Sequence, residues 1–124
     1  MNRNEWAKEF FAAVDSRKPE KIAAYMTDDV RLQFANMEPS VGVAALKAAF
    51  QGAADRFKSI NHNIQGIWNG QWESGDVISV EAIVTYELPN GKIVKIPCTS
   101  TLRLKDEKIA DYRIFIDPSP AFAA

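Results

Sequence analysis

Tyr86 and Tyr112 stand where alternating patterns put them on the apolar faces of strands. A phenol held in such surroundings can donate a hydrogen bond to a ligand carbonyl. The same placement also suits a core tyrosine whose hydroxyl reaches water or backbone. Ser100 and Cys98 fall on an inward face as well, but no histidine base accompanies them, so they read as polar lining rather than nucleophiles. His62, between Asn61 and Asn63, reads as a surface or rim residue. Asp117 precedes Pro118, a place where aspartate commonly opens a turn and accepts backbone N–H bonds. It shares the odd side of its strand with Arg113, opposite Tyr112 and Ile114. Only a bend near Pro118 would turn its carboxylate inward.

The elements that must position these groups show in the hydropathy pattern. Ile78, Val80, Ala82, Val84, Tyr86 and Leu88 alternate with Ser79, Glu81, Thr85 and Glu87. Val94, Ile96, Cys98, Ser100, Leu102 and Leu104 alternate with Lys95, Thr99, Thr101, Arg103 and Lys105. Such period-two runs predict half-buried strands. A strand over 61–72 presents Ile64, Trp68 and Trp72 on one side, and a last strand over 109–117 alternates Ala110, Tyr112, Ile114 and Ile116. Ser74-Gly75-Asp76, Pro89-Asn90-Gly91 and Asp106-Glu107-Lys108 supply the turns between them.

Ahead of these, Trp6, Phe10, Ala13 and Val14 recur at helical spacing within 4–16. Pro19 opens a second short helix, and Val30, Leu32 and Phe34 mark a strand. A loop over 36–42 leads to a third helix from about Val43 to Phe57, whose face of Leu46, Ala49, Phe50, Ala53 and Phe57 predicts close packing on a sheet. The order helix, helix, strand, helix, then four strands predicts an α+β architecture with helices on one face of a strongly bent sheet.

With 124 residues the chain reads as one domain spanning 1–124. A formal charge of −1, with dispersed basic residues, argues against nucleic acid as a partner. The apolar stretches are too short for a membrane span, and Met1-Asn-Arg-Asn-Glu does not read as a signal peptide, so a soluble cytoplasmic protein is expected. One cysteine and one histidine point to no internal disulfide, no metal site and no cofactor.

Ala23-Ala24-Tyr25-Met26-Thr27-Asp28-Asp29-Val30, Pro89-Asn90-Gly91-Lys92, Ile96-Pro97 and the stretch from Lys108 to Asp117 together resemble SnoaL-like proteins. That family is the polyketide cyclase-like branch of the nuclear transport factor 2-like (NTF2-like) superfamily. The resemblance implies the cone-shaped NTF2-like/cystatin-like fold, with three N-terminal helices on a strongly bent mixed sheet. It also implies a pocket for a small apolar molecule, and pairing of two chains through the outer sheet face. Ile83, Thr101, Arg103 and Phe115 are the interface expected from it.

Ketosteroid isomerases of this superfamily use a tyrosine and two carboxylic residues, and the matching positions here hold Phe10, Phe34 and Ser100. Limonene epoxide hydrolases use an Arg-x-Asp pair, matched by Cys98 and Ser100, plus a late aspartate with a counterpart in Asp117. SnoaL-type cyclases need one positioned carboxylate, because their substrates carry an acidic C–H between carbonyls. The resemblance therefore implies a cyclase or isomerase with Asp117 as acid/base. Substrate would be held by Tyr112, Tyr86, Ser100, Phe34, Trp68, Phe50, Phe10 and Ile114. Two alternatives stand beside it: a non-catalytic binder of a hydrophobic metabolite, and an epoxide hydrolase-like enzyme.

Overall fold

A computed structural model describes residues 2–122. Helix α1 (Arg3–Asp15) starts where the Asn2 side chain accepts the Glu5 N–H at 2.8 Å, satisfying a helix-end donor. Helix α2 (Pro19–Ala23) opens on proline at its first position, where the missing N–H costs nothing. Strands β1 (Met26–Phe34) and β2 (Ser40–Val41) precede helix α3 (Val43–Arg56). Four strands follow: β3 (Ser59–Trp72), β4 (Gly75–Glu87), β5 (Ile93–Lys105) and β6 (Lys108–Ile116). A short helix, α4 (Ser119–Phe122), comes after them. Neither β2, inside the stretch expected to be loop, nor α4 was anticipated from hydropathy, because both are too short to establish a period. Among the described residues no helix is long and apolar enough to cross a membrane.

The strands form one mixed sheet in the order β2-β1-β6-β5-β4-β3, antiparallel except for the parallel β1/β6 pair. This corrects the expected cone of strongly bent strands. The sheet is an open ladder whose end strands, β2 and β3, do not pair with each other. Closure needs a partner along both edges, and β2 offers only two paired residues, Ser40 and Val41. At the β5–β6 hairpin, Asp106 (φ 53°) and Glu107 (φ 66°) both take left-handed backbone, as a two-residue turn matched to strand twist requires.

The strand alternation is as the hydropathy implies, with two exceptions: at the start of β6 a register shift buries Ile109 in place of the expected Ala110, and β3 carries a bulge. In β3, Ile60, His62 and Ile64 face Tyr86, Val84 and Ala82. The register then slips at Gln65, so Ile67 faces Val80 and Trp68 faces Ser79. A bulge of this kind inverts every later side chain. Trp68 therefore leaves the face of Ile64 and lies 55% exposed.

The core forms two clusters. One joins Phe10, Phe11 and Val14 of α1 to Leu46 of α3 and to Ile78, Leu102 and Tyr112 of the sheet. The other gathers Phe57, Val84, Tyr86, Ile96, Cys98 and Ala121. Ile114 touches both. The alanine face of α3 does not close onto the sheet as its composition predicts, since Leu46 alone of that helix is fully buried.

Candidate functional site

The space left under α3 is a cavity of about 620 Å³, within the range of small-molecule sites. Its floor is sheet: Leu32 and Phe34 of β1, Ile60 and His62 of β3, Tyr86 of β4, Cys98 of β5, and Tyr112 and Ile114 of β6. Its roof is the small-residue side of α3 (Ala49, Gly52, Ala53) with Phe50. Val14 and Arg17 close one end, while Pro118 and Phe122 form part of another. Phe122 is held there by the Arg56 guanidinium, which donates to its carbonyl and lies 4.9 Å from its ring centroid.

Five of the eight side chains expected to hold substrate line this cavity: Phe34, Phe50, Tyr86, Tyr112 and Ile114. The other three lie elsewhere. Phe10 is wholly buried behind Tyr112, with ring centroids 5.6 Å apart. Ser100 is buried and set against Cys98, Oγ to Sγ 3.9 Å. Trp68 is on the exposed strand face described above. Asp117 is exposed, outside the cavity lining, and its Oδ1 accepts the Ser119 N–H at 3.1 Å, which caps α4. The turn at Pro118 thus uses the carboxylate locally.

His62 is the group that hydropathy reading missed. Its Nδ1 lies 2.6 Å from Asp15 Oδ1, and its backbone N–H donates to Asp15 Oδ2 at 2.8 Å. Both side chains are largely shielded, at 10% and 18% exposure. Phe11 lies against the imidazole, centroids 5.0 Å apart. With Nδ1–H donated to Asp15, Nε2 carries the free lone pair, and among the described residues it has no partner. Two sequence signals could have found this pair. His62 sits between Ile60 and Ile64 on the inward phase, and Asp15 lies one helical turn beyond Phe11.

Burial drives the Tyr86 phenol well above the ordinary range, with smaller pushes from Cys98 and Asp15. The Tyr112 phenol is raised as well, by burial first, then by Cys98, Tyr86 and Asp15, with Ser100 opposing. Burial also raises the Cys98 thiol, opposed by Ser100. Both phenols therefore remain protonated donors near neutral pH, and the thiol is a poor nucleophile.

Arg17 takes left-handed backbone (φ 58°) just past α1, a place usually given to glycine. Its Nη1 donates to Ala54 O at 3.0 Å and Phe57 O at 2.7 Å, tying the end of α1 to the end of α3. Among the described residues no three of His, Cys, Asp and Glu cluster. The Asp15–His62 pair alone falls short of the four ligands a structural zinc takes. A second depression, lined by Asn2, Arg3, Asn69 and Asp76, is polar, and Arg3 there is already paired with Asp76 (2.8 Å) and Glu107 (2.7 Å).

Solved structures share this fold. A protein of unknown function from Burkholderia pseudomallei, described as NTF2-like, superposes with TM-score 0.81 at 15% identity, over 99% of this chain and 97% of that one. A hypothetical protein of ketosteroid isomerase-like fold from Catenulispora acidiphila, in complex with trimethylamine, gives 0.80 at 15%, over 94% and 88%. The epoxide hydrolase/cyclase-like enzyme SalBIII, of pyran ring formation in the polyether salinomycin, gives 0.78 at 19%, over 93% and 90%. At these identities the superpositions establish the fold. The SnoaL-like domain model matches residues 7–112, so the chain belongs to the SnoaL-like family. No curated protein sequence matches it.

Proposed function

We propose that this chain is an acid–base enzyme of cyclase or isomerase type, acting on a small, mainly apolar carbonyl compound. The observation that carries this reading is His62 on the wall of an apolar cavity, its Nδ1 held 2.6 Å from Asp15 outside the lining and its Nε2 free. His62 Nε2 takes a proton from the carbon next to the carbonyl, and Tyr86 O–H donates to the oxygen as it gains charge. The imidazolium formed is stabilised by Asp15 and returns its proton to another carbon or to the new alkoxide, which completes isomerisation or ring closure. Asp15 is a positioning residue, since both of its oxygens are on His62.

The epoxide hydrolase alternative has less support. SalBIII shares the fold, but the Arg-x-Asp positions hold Cys98 and Ser100, which are buried and face each other. Binding without turnover is the reading that remains if no proton moves. The test is exchange of α-protons of 1-indanone and 2-tetralone in D₂O, followed by NMR. Wild type is expected to exchange them, His62→Gln to lose about 10²-fold or more, and Asp117→Asn to keep the wild-type rate. Unchanged exchange in His62→Gln, with loss in Asp117→Asn, would transfer the acid/base role to Asp117.

We also propose a homodimer joined through the outer sheet face. Trp68 and Phe115 (55% and 56% exposed) stand there beside the Ser79–Thr101 hydroxyl pair. Arg31, Arg103 and Arg113 surround Asp111 on the same face.

A further inference from the structure

The charge on the cavity wall is one-sided. Arg17 and Arg56 line it, and no aspartate or glutamate does among the described residues. Arg56 lies at the exposed rim with its Nη2 committed to the Phe122 carbonyl. Arg17 differs, being half-buried with no carboxylate in ion-pair contact among the described residues. The acid two residues before it, Asp15, has both oxygens on His62. A guanidinium has five N–H donors. Nη1 serves the Ala54 and Phe57 carbonyls, and Nε and Nη2 meet no acceptor among the described residues.

A cation half-withdrawn from water in a lining shared with Val14, Leu32 and Ile60 lacks the counter-charge that would compensate its lost hydration. An arginine fork suits one chemical group above others, a planar carboxylate held by two parallel N–H bonds. We propose that the cavity takes an apolar molecule carrying a carboxylate, and that Arg17 anchors this group. The inference rests on the cavity being the ligand site. With it, the substrate class narrows from a carbonyl compound to an apolar keto acid, its carboxylate on Arg17 and its ketone within reach of Tyr86 and His62. A small cation such as the trimethylamine bound by the Catenulispora protein is disfavoured by this wall.

The test is isothermal titration of 2-naphthoate and methyl 2-naphthoate at pH 7.5. Wild type is expected to bind the acid about tenfold or more tighter than the ester, as a hydrogen bond to a charged group implies. In Arg17→Gln the preference should fall below about threefold with ester affinity retained, the loss of one charge-assisted contact. Because Arg17 also secures α3, circular dichroism must show Arg17→Gln folded. If it is not, the wild-type preference is read against salt, and should shrink about threefold between 0.05 and 0.5 M. Equal binding of acid and ester overturns this proposal and leaves the carbonyl-enzyme reading standing. Binding of neither ligand overturns both. A preference that survives in folded Arg17→Gln, or that ignores salt in wild type, removes Arg17 as the anchor.

Discussion

A carboxylate in the last turn of a helix opposes the helix dipole, at a cost of about 0.3–1 kcal/mol. Asp15 occupies that position, and the two hydrogen bonds to His62 offset the cost. The buried phenols make a prediction of the opposite sign to acid sensitivity. Tyr86, Tyr112 and Cys98 are all raised in the folded state, so the native protein holds their protons more tightly than the unfolded chain does. Their contribution is complete below the ordinary values of 9.0 for the thiol and 10.0 for the phenols, and is lost as pH climbs past them. The urea midpoint should therefore fall from pH 9 upward. Tyr86→Phe/Tyr112→Phe should flatten that decline, and an equally steep decline in the double variant would contradict the assignment. Tyr86 and Tyr112 were legible because strand alternation fixes a side chain's face. His62 was equally legible by that rule, but its asparagine neighbours disguised it. Asp117 was not, since the turn at Pro118 decides where its carboxylate points, and a turn has no period.

At the scale of elements, α3 decides whether the molecule has an interior space at all. Its leucine anchors one end, while Ala49, Gly52 and Ala53 leave the cavity open beneath. A Cβ built on Gly52 meets nothing within 4 Å. Gly52→Ala should then stabilise the fold by about 0.5–1 kcal/mol by removing glycine's freedom in the unfolded chain. Thermal or urea unfolding checks this, and a destabilised variant would mean that α3 sits closer to the sheet than described. The existence and order of the longer helices and strands were readable, because amphipathic periods survive over ten or more residues. The bulge at Gln65 was not, and one extra residue was enough to carry Trp68 to the other face. Sheet curvature was overestimated for a related reason. Pairing across an edge depends on a partner strand, and β2 is two residues long.

For the whole molecule, the helices cover one face of the sheet and leave the other to its own side chains. Light scattering at micromolar concentration should give twice the 13.8 kDa chain mass if the outer faces join. Phe115→Glu/Trp68→Glu should return the monomer mass, since two apolar rings would be replaced by charges that resist burial. A monomeric wild type would end the dimer proposal. The parallel pairing of β1 with β6 has a different outcome. Leu32 meets Tyr112 and Phe34 meets Ile114, so the first long strand waits for the last one. During synthesis on the ribosome, β1 emerges with its partner still unmade, and the cavity floor cannot assemble until β6 has left the exit tunnel. Loop closure over that separation slows folding, and until it occurs the apolar face and open edge of β1 stay uncovered.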